Sequence, residues 1–446
     1  MAISSLLHGP LASADVLIAG AHALDPGAGL DGGHDVLVRD GQIVQISPPG
    51  EIDGEGAELI AGAGKHLFPA FFDPHVHLRS PGQEHKEDLE TGTRAAAAGG
   101  FGAVIAMPNT DPPLDSAPLL RSVRESAARE ARIPVGFLAA ITRGLGGEEL
   151  SEMAELAGAG ALGFTDDGRP VASAGVLRKA LQYQRLCGGV LTLHEEDPSL
   201  SRGGSMHEGE VSAALGLGGI PTISESTMVA RDAELAGYEQ ARVHFQHLSC
   251  AASVRAVAAA KALGYRVSCE VTPHHLLLSD ADVRSLDTSM KMNPPLSDER
   301  DRRALIEGLR DGTIDCVATD HAPHARHEKE VPFEQAPMGT TGLETAFAAL
   351  YTGLVLPGEL ALATLVERMT ASAALFELPT PSIAVGEPAN LTLVDLGAEW
   401  VAGESGWESR SANCCFAGRR LSGRVLITIA AGGVAYRERA FSVVAA

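Results

Sequence analysis

Residues 67–77 read LFPAFFDPHVH, a short apolar run that ends in Asp73, His75 and His77. In an extended segment, side chains two residues apart point to the same face, so His75 and His77 are predicted to project together. Seven more short apolar runs recur along the chain, and most are followed by a stretch with helical periodicity. With Leu67–Phe72 as the first, they are Ala103–Met107, Pro134–Ala140, Ala161–Phe164, Val190–Leu193, Val243–Phe245, Tyr265–Val271 and Ile314–Ala318. Buried strands alternating with helices over ~260 residues predict an α/β fold, a (βα)8 TIM-type barrel, in preference to an open doubly wound sheet.

The two ends of the chain differ from the centre because they read as short strands separated by turns. The N-terminal strands are predicted around Val16–Ile18, Val36–Val38 and Ile43–Ile46. At the other end, Asn390–Val394 and Val425–Ile429 look like strands, and Gly432-Gly433 looks like a hairpin turn. We therefore predict a small β domain formed by residues 1–64 and 385–446, beside a barrel formed by residues 65–384.

Composition limits the classes of partner. The chain of 446 residues has 35 basic and 57 acidic residues, and its net charge of −22 argues against a nucleic-acid or acidic-membrane partner. It has neither a signal-peptide pattern nor a stretch of ~18 apolar residues. Its six cysteines contain no CxxC, so neither a zinc ribbon nor a disulfide framework fits. We expect a cytoplasmic protein with no membrane partner.

Five of the eight runs end in side chains of metal-ligand type. They are His75 and His77 after the first run, Asp166 and Asp167 after the fourth, His194 after the fifth, His247 after the sixth, and Asp320 and His321 after the eighth. The C-terminal ends of barrel strands meet at one rim, where active sites are built. Nitrogen and oxygen ligands of this kind suit zinc, which can leave one position open for water.

The alternative is that these side chains are structural. A single histidine at a strand end is more often packed or hydrogen-bonded than a ligand, but the joint pattern is hard to explain as packing, since unpaired buried polar groups are costly. Spacing does not choose between Asp166 and Asp167, because Asp-Asp-Gly is also a common turn or helix N-cap. Nor does it exclude His274 and His275. Four other histidines without such a context are predicted to be structural or exposed: His85, His207, His244 and His327.

Six segments resemble the dihydroorotases of the amidohydrolase superfamily, specifically the longer bacterial type. They are FFDPHVHLRSPG, AMPNT, FTDDG, KMNPP, ATDHAPH and GLET, and they lie in register over roughly residues 65–350. The HxH pattern alone marks only the superfamily, whereas the combination is specific to dihydroorotase. The resemblance implies a (βα)8 barrel with a small β domain built from both chain ends. The pattern of apolar runs and turns independently predicts the same fold.

The resemblance also implies two Zn²⁺ ions and a set of ligands. These are His75, His77, Asp167, His194, His247 and Asp320. Many relatives bridge their metals with a carboxylated lysine at the end of the fourth strand. Here that strand reads GFTDDG, so Asp167 is expected to take the place of the lysine. Ser80 and Glu195 depart from the usual HLREPG and HxED patterns without removing a ligand.

The activity implied is the reversible hydrolysis of L-dihydroorotate to N-carbamoyl-L-aspartate in de novo pyrimidine biosynthesis. By resemblance, Asp320 acts as general base and then general acid. Arg79, Asn109 and His324 are expected to hold the substrate carboxylate, and Asn293 the ring or carbamoyl end. The alternatives are an exposed ion pair for Arg79 and turn positions for the two asparagines. The polar residues 326–340 predict a mobile covering loop.

Two other functions compete with this interpretation. A hydantoinase or allantoinase would use the same fold and metals on a different ring, but the absence of a strand-four lysine and the presence of Arg79 and Asn109 favour dihydroorotase. A non-catalytic scaffold of aspartate carbamoyltransferase would have lost ligand histidines, which this chain retains. Association of an active chain with that transferase is compatible with the resemblance, and we also expect a homo-oligomer.

Overall fold

The computed structural model describes residues 6–439 and 441, and its first unit is a set of N-terminal strands. They are β1 Val16–Asp25, β2 Leu30–Arg39, β3 Gln42–Ser47, β4 Glu58–Ala61 and β5 His66–Pro69. Strand β1 pairs antiparallel with β2 and parallel with β4 and β5. The β2–β3 hairpin turns at Asp40 and Gly41, which both have positive φ (47° and 74°), the geometry that a two-residue hairpin turn requires.

The centre of the chain forms the predicted barrel. Its eight strands are parallel: β6 Phe71–Val76, β7 Phe101–Ala106, β8 Val135–Ala139, β9 Gly163–Phe164, β10 Val190–Leu193, β13 Val243–Phe245, β14 Val267–Val271 and β15 Cys316–Val317. Between β10 and β13, the short strands β11 Met206–His207 and β12 Gly219–Ile220 form a separate two-stranded sheet. A parallel bridge between Val76 and His321 brings the first strand to the end of the last. The first apolar run spans two strands, because the chain passes from the terminal sheet into the barrel at Ala70.

Helices cover the outside of the barrel. They are α1 Leu89–Ala98, α2 Ala117–Glu130, α3 Met153–Gly158, α4 Ala174–Cys187, α5 Pro198–Ser201, α6 Glu210–Leu215, α7 Ile223–Glu239, α8 Ala251–Ala262, α9 Pro273–Leu277, α10 Glu299–Asp311, α11 Arg326–Lys329, α12 Ala346–Leu350 and α13 Leu362–Thr370. Helix α1 shows why they begin where they do: Asp88 caps it by accepting a hydrogen bond from Thr91 N at 2.8 Å. Its alanines 95–97 are fully buried.

The C-terminal strands complete the sheet that the N-terminal strands begin. They are β16 Leu391–Val401, β17 Arg420–Ala430 and β18 Gly433–Arg437. Strand β16 pairs antiparallel with β5, so the order is β18-β17-β16-β5-β1-β2-β3, with β4 on β1. Both chain ends therefore share one β domain, and the predicted fold class is confirmed. The boundaries at residues 64/65 and 384/385 stay a prediction, although β5 carries the terminal sheet past residue 64.

Large aromatic side chains of the barrel strands belong to the main hydrophobic core. Phe71, Phe101, Phe137, Phe164 and Phe245 are each at most 2% exposed. Because the strands are buried on both faces, they read as continuous apolar runs and their polar residues fall at the strand ends. All six cysteines are free thiols. In the part of the chain that the structure describes, every helix is too short or too polar to cross a bilayer.

Candidate metal centre and active site

The six predicted ligands come together at the C-terminal ends of the barrel strands. His75 and His77 end β6, Asp167 follows β9, His194 follows β10, His247 follows β13 and Asp320 follows β15. All six are buried, with exposures of at most 7%. Two overlapping groups among them have ligand atoms within 4.8 Å of one another: His75, Asp167 and His247, and His75, His77 and Asp320.

Asp167 lies between the histidines. Its Oδ1 atom is 3.5 Å from His75 Nε2, 3.7 Å from His194 Nδ1 and 3.8 Å from His247 Nε2. Its Oδ2 atom is 3.5 Å from His77 Nε2. One carboxylate therefore faces all four imidazoles, which is the arrangement expected of a bridging ligand.

Asp166, the alternative to Asp167, points away from this cluster. Its Oδ1 atom accepts hydrogen bonds from Ile141 N at 2.8 Å and Thr142 N at 3.0 Å, and its Oδ2 atom accepts one from the Thr142 hydroxyl. Asp166 thus ties the loop after β8 to the loop after β9. Of the two neighbouring acids, the structure brings only Asp167 among the imidazoles, and its role as a metal ligand stays a prediction.

The donor set fits a metal ion. His75 Nε2 is fully buried, is directed at Asp167 and Asp320, and makes no hydrogen bond to any residue that the structure describes. An imidazole nitrogen left in this way is costly unless it has a ligand. Four nitrogens and two carboxylates are a donor set that zinc accepts.

Three of the imidazoles are oriented by polar neighbours on their outer side. His75 Nδ1 donates to Glu270 Oε1 at 2.7 Å, and His77 Nδ1 donates to Asn109 Oδ1 at 2.9 Å. His194 Nε2 donates to Glu196 Oε2 at 3.2 Å. Such bonds fix the tautomer, so that His75 and His77 present Nε2 and His194 presents Nδ1 to the centre.

Glu270 and Glu196 were not singled out from the sequence. Glu270 lies inside β14 and also accepts a hydrogen bond from His244 Nε2 at 3.0 Å. A charged residue within the apolar run Tyr265–Val271 was the available signal, because a buried carboxylate needs partners. Glu196, two residues beyond His194, gave no comparable signal.

The electrostatics of the cluster are dominated by mutual attraction. Burial alone would lower the pKa of His75, but the carboxylates of Asp167, Asp320 and Glu270 outweigh it and raise that pKa well above 6.5. Burial would raise the pKa of Asp167, but the neighbouring imidazoles hold it well below 3.8. Burial would likewise raise the pKa of Glu270, but His75 and His244 lower it to about 2. These carboxylates are therefore ionised at neutral pH.

Three of the functional side chains stand on strained backbone. Arg79, His247 and Asp320 have φ of 57°, 31° and 46°, a region that L-residues other than glycine rarely occupy. Such positions cost about 1–3 kcal/mol each and persist only where the surroundings enforce them. At these strand ends the strain turns the side chains into the mouth of the barrel.

A cavity of about 330 Å³ opens above the cluster, and all four predicted substrate-binding residues line it. Arg79 Nε donates to Pro323 O at 3.1 Å, and His324 Nε2 lies 2.8 Å from Met338 O. Asn109 Nδ2 donates to Asp167 Oδ2 at 3.0 Å, and Asn293 Nδ2 to Glu196 Oε2 at 2.6 Å. The two asparagines thus contact the metal-ligand candidates as well as the cavity.

The remaining histidines lie outside the cluster. His275 is held by Thr272 Oγ1 at 2.7 Å and by Pro294 O at 2.9 Å. His274 is buried beside it, and the two rings are 4.5 Å apart. His321 Nε2 lies 3.3 Å from Glu87 Oε2. Of the four histidines without a motif, two are exposed (His85 and His327) and two are buried (His207 and His244).

Comparison with known proteins identifies the family. The dihydroorotase of Anaeromyxobacter dehalogenans (strain 2CP-C) is 46% identical over 431 residues, which cover 95% of this chain and 98% of that protein. The dihydroorotase of Pelotomaculum thermopropionicum is 44% identical over 425 residues, covering 95% and 99%. The chain belongs to the dihydroorotase family. A family model described as Dihydro-orotase-like matches residues 64–253, the first part of the barrel.

Solved structures place the dihydroorotase family among related enzymes. L-hydantoinase (dihydropyrimidinase) from Arthrobacter aurescens superposes with a TM-score of 0.84 at 25% identity over 97% of both chains. Dihydropyrimidinase from Brevibacillus agri shares the fold, with a TM-score of 0.81 at 23% identity and 95% coverage of each chain. As a member of the dihydroorotase family, this chain is a cyclic amide hydrolase.

Proposed function

We propose that the chain is a zinc-dependent dihydroorotase that interconverts L-dihydroorotate and N-carbamoyl-L-aspartate. The observation that carries the proposal is the joint placement of Asp167 among four imidazoles and of Arg79 on the wall of the same cavity. The first feature suits a centre that activates water, and the second suits a substrate that carries a carboxylate. The family membership supports the same substrate.

The ligand set divides into two halves that share Asp167. His75, His77 and Asp320 would hold one zinc ion, and His194 with His247 would hold a second. Zinc bound in such a site lowers the pKa of a bound water to about 7 and polarises a carbonyl oxygen. Zinc as the metal and two ions per chain are parts of this proposal.

Asp320 is the residue proposed to move the proton. Its Oδ1 atom is 2.9 Å from His77 Nε2 and 3.4 Å from His75 Nε2, and the side chain lines the cavity. The charge of His75 holds the pKa of Asp320 low against the effect of burial, so Asp320 is ionised and can accept a proton. As water adds to the ring carbonyl carbon, Asp320 takes its proton and delivers it to the departing ring nitrogen when the C–N bond breaks.

The two sides of the cavity would hold the two ends of the substrate. The Arg79 guanidinium would donate to the carboxylate that the ring and the open chain share, and Asn109 and His324, which line the same cavity, would share that task. Asn293, held by Glu196, also lines the cavity and would bind the ring or carbamoyl end. A guanidinium can grip a carboxylate through two parallel hydrogen bonds, which fixes the ring in one orientation.

A substrate comparison tests the proposal. The purified protein, with its metal content measured, is assayed on dihydroorotate, hydantoin and allantoin. We expect turnover on dihydroorotate to exceed that on the other two rings and to be lost after chelation and restored by zinc. A preference for hydantoin or allantoin, or full activity without metal, would refute it.

Assembly is a separate part of the proposal. We expect a homo-oligomer that can associate with aspartate carbamoyltransferase, and light scattering of the chain alone and mixed with the transferase would measure both. Assays with and without the transferase would distinguish a chain active alone from one that needs its partner and from an inert scaffold. The cytoplasmic location expected from the sequence stays a prediction.

A further inference from the structure

A short segment closes one side of the substrate cavity. Residues 334–339, which we call the strap, follow α11, and their last two residues, Met338 and Gly339, line the cavity. The carbonyl of Met338 lies 2.8 Å from His324 Nε2, so the strap sets the position of a proposed carboxylate-binding residue. This is the second half of the segment for which the sequence predicted a covering loop.

Two buried lysines hold the strap. Lys329 Nζ donates to Pro337 O at 2.8 Å and to Thr288 O at 2.9 Å, and Lys291 Nζ donates to Glu334 O at 2.9 Å. The residues are 8% and 4% exposed. Neither ammonium group has an ion pair with any carboxylate in the part of the chain that the structure describes. Their hydrogen-bond acceptors are main-chain carbonyls.

The same lysines also bind through their own main chain. Gly339 N donates to Lys291 O at 2.8 Å, and the Thr288 hydroxyl donates to Lys329 O at 2.7 Å. Gly339 has a φ of 134°, and a Cβ there would lie 3.0 Å from His324 Nε2. The strap is therefore hydrogen-bonded to Lys291 and, through Lys329, linked to Thr288, and its last residue packs against His324.

Burial of two cations without carboxylate partners is unfavourable for stability. Burial lowers the pKa of Lys329 to about 7, with a further contribution from the neighbouring charge of Lys291. Apolar residues of similar length would fill the same space without that cost. Cations kept in such places are better explained by the geometry that they impose, since each bond runs to the strap or to the turn at Thr288.

We propose that Lys291 and Lys329 are positioning residues for substrate binding, which hold the strap so that His324 and the cavity wall keep the shape that fits the substrate carboxylate. The inference rests on the proposed function. Neither lysine touches the substrate. Asn413 Nδ2 separately donates to Gly339 O at 3.2 Å, and the main-chain bond from Gly339 N to Lys291 O does not depend on a lysine side chain, so the end of the strap keeps both attachments when a lysine is replaced. The effect should therefore fall on substrate binding more than on the chemical step.

The test uses Lys329→Met and Lys291→Met in the full-length, zinc-loaded protein. We expect KM for dihydroorotate to rise by about tenfold or more, because small displacements of positioning groups have large effects, while kcat changes less than about threefold. Amide hydrogen exchange in residues 334–339 should become faster, and the metal content should stay that of the wild type.

Lys261→Met is the matched control. Its ammonium also donates to a main-chain carbonyl, Thr313 O at 2.8 Å. It differs in that it pairs with Asp315 at 2.7 Å, and it lies on α8 away from the cavity. We expect this variant to change neither KM nor exchange in the strap. If Lys329→Met does not fold, Lys291→Met, which loses a single bond to the strap, decides by the same criteria.

Two readouts separate this inference from the proposed function. A KM within twofold of the wild type, or unchanged exchange in the strap of folded variants, would overturn the role of the lysines. A wild-type protein that leaves dihydroorotate unchanged would overturn the proposed function instead, and the exchange measurement, which needs no substrate, would still judge the lysines.

Discussion

Glu270→Gln should weaken metal binding without displacing any proposed ligand. In the wild type, the Glu270 carboxylate accepts hydrogen bonds from His75 Nδ1 at 2.7 Å and from His244 Nε2 at 3.0 Å. Glutamine has nearly the same volume, but it has no charge and only one accepting oxygen. Glutamine can therefore accept a hydrogen bond from either His75 or His244, whereas glutamate accepts one from both.

The size of the effect follows from these two bonds. A hydrogen bond to a charged group contributes about 1.5–3 kcal/mol and a neutral one about 0.5–1.5 kcal/mol, so the His75 bond alone loses about 1–1.5 kcal/mol. That is about tenfold in metal affinity. Mutation of a residue that hydrogen-bonds to a metal ligand typically lowers metal affinity 10–100-fold, or about 1.4–2.8 kcal/mol. Because Glu270→Gln also weakens control of the His75 tautomer and ring orientation, we expect a loss of zinc affinity towards the upper end of that range.

The assay is a competition between the protein and a fluorescent chelator for zinc, accompanied by kcat/KM for dihydroorotate. Glu239→Gln serves as the control, because Glu239 is also buried and accepts hydrogen bonds from Arg178 and Gln182, but lies at the C-terminal end of α7, opposite the strand ends that form the site. We expect its zinc affinity to match the wild type. A zinc affinity of Glu270→Gln within twofold of the wild type would refute the positioning role of Glu270.

Four further variants test separate parts of the site and of the fold. Arg79→Ala should raise KM for dihydroorotate by about a hundredfold, the loss of a charge-assisted bidentate contact, while bound zinc measured by mass spectrometry stays constant. Asp167→Asn should lower the number of zinc ions bound per chain. Asp166→Asn should leave that number unchanged and lower the melting temperature, because Asp166 only ties two loops together. Loss of zinc in Asp166→Asn would contradict the choice of Asp167 as the ligand. Burial, aided by the nearby charge of Glu408, raises the pKa of Glu344 to about 7. The contribution of Glu344 to stability is therefore complete below about pH 4.5 and is lost as the pH rises through about 7. Between pH 5 and 8, the unfolding free energy of Glu344→Gln, measured by urea denaturation, should therefore fall less than that of the wild type.

The barrel could be predicted from sequence because its strands are buried on both faces. Runs such as Val190–Leu193 and Val243–Phe245 contain few polar residues, and each gives way to a histidine within two residues of the strand end. A parallel barrel brings those ends to one rim, so the order of residues along the chain already specifies which side chains meet. The fold and the approximate site therefore come from a local pattern and a rule of topology.

Other features depend on contacts that no local pattern encodes. Asp166 and Asp167 flank the same turn, and the one that faces the centre is decided by hydrogen bonds from Thr142, which is 24 residues away from Asp166. Lys291 lies in the KMNPP segment and Lys329 in the polar run 326–340, and nothing in either segment predicts that both side chains are buried beneath the strap. In each case a partner distant in sequence determines the role.

The charges around the imidazoles are those expected of a site for divalent cations. Four carboxylates contact the imidazole cluster, from Asp167, Glu196, Glu270 and Asp320, and the neighbouring histidines lower the pKa of every one of them, to about 2 for Glu196 and Glu270. A buried cluster with four negative charges needs compensation. The two Zn²⁺ ions proposed above would supply four positive charges and would leave the histidines neutral, as ligands must be. Arg79 would then face the substrate from the cavity wall, and the carboxylate of dihydroorotate would balance its charge.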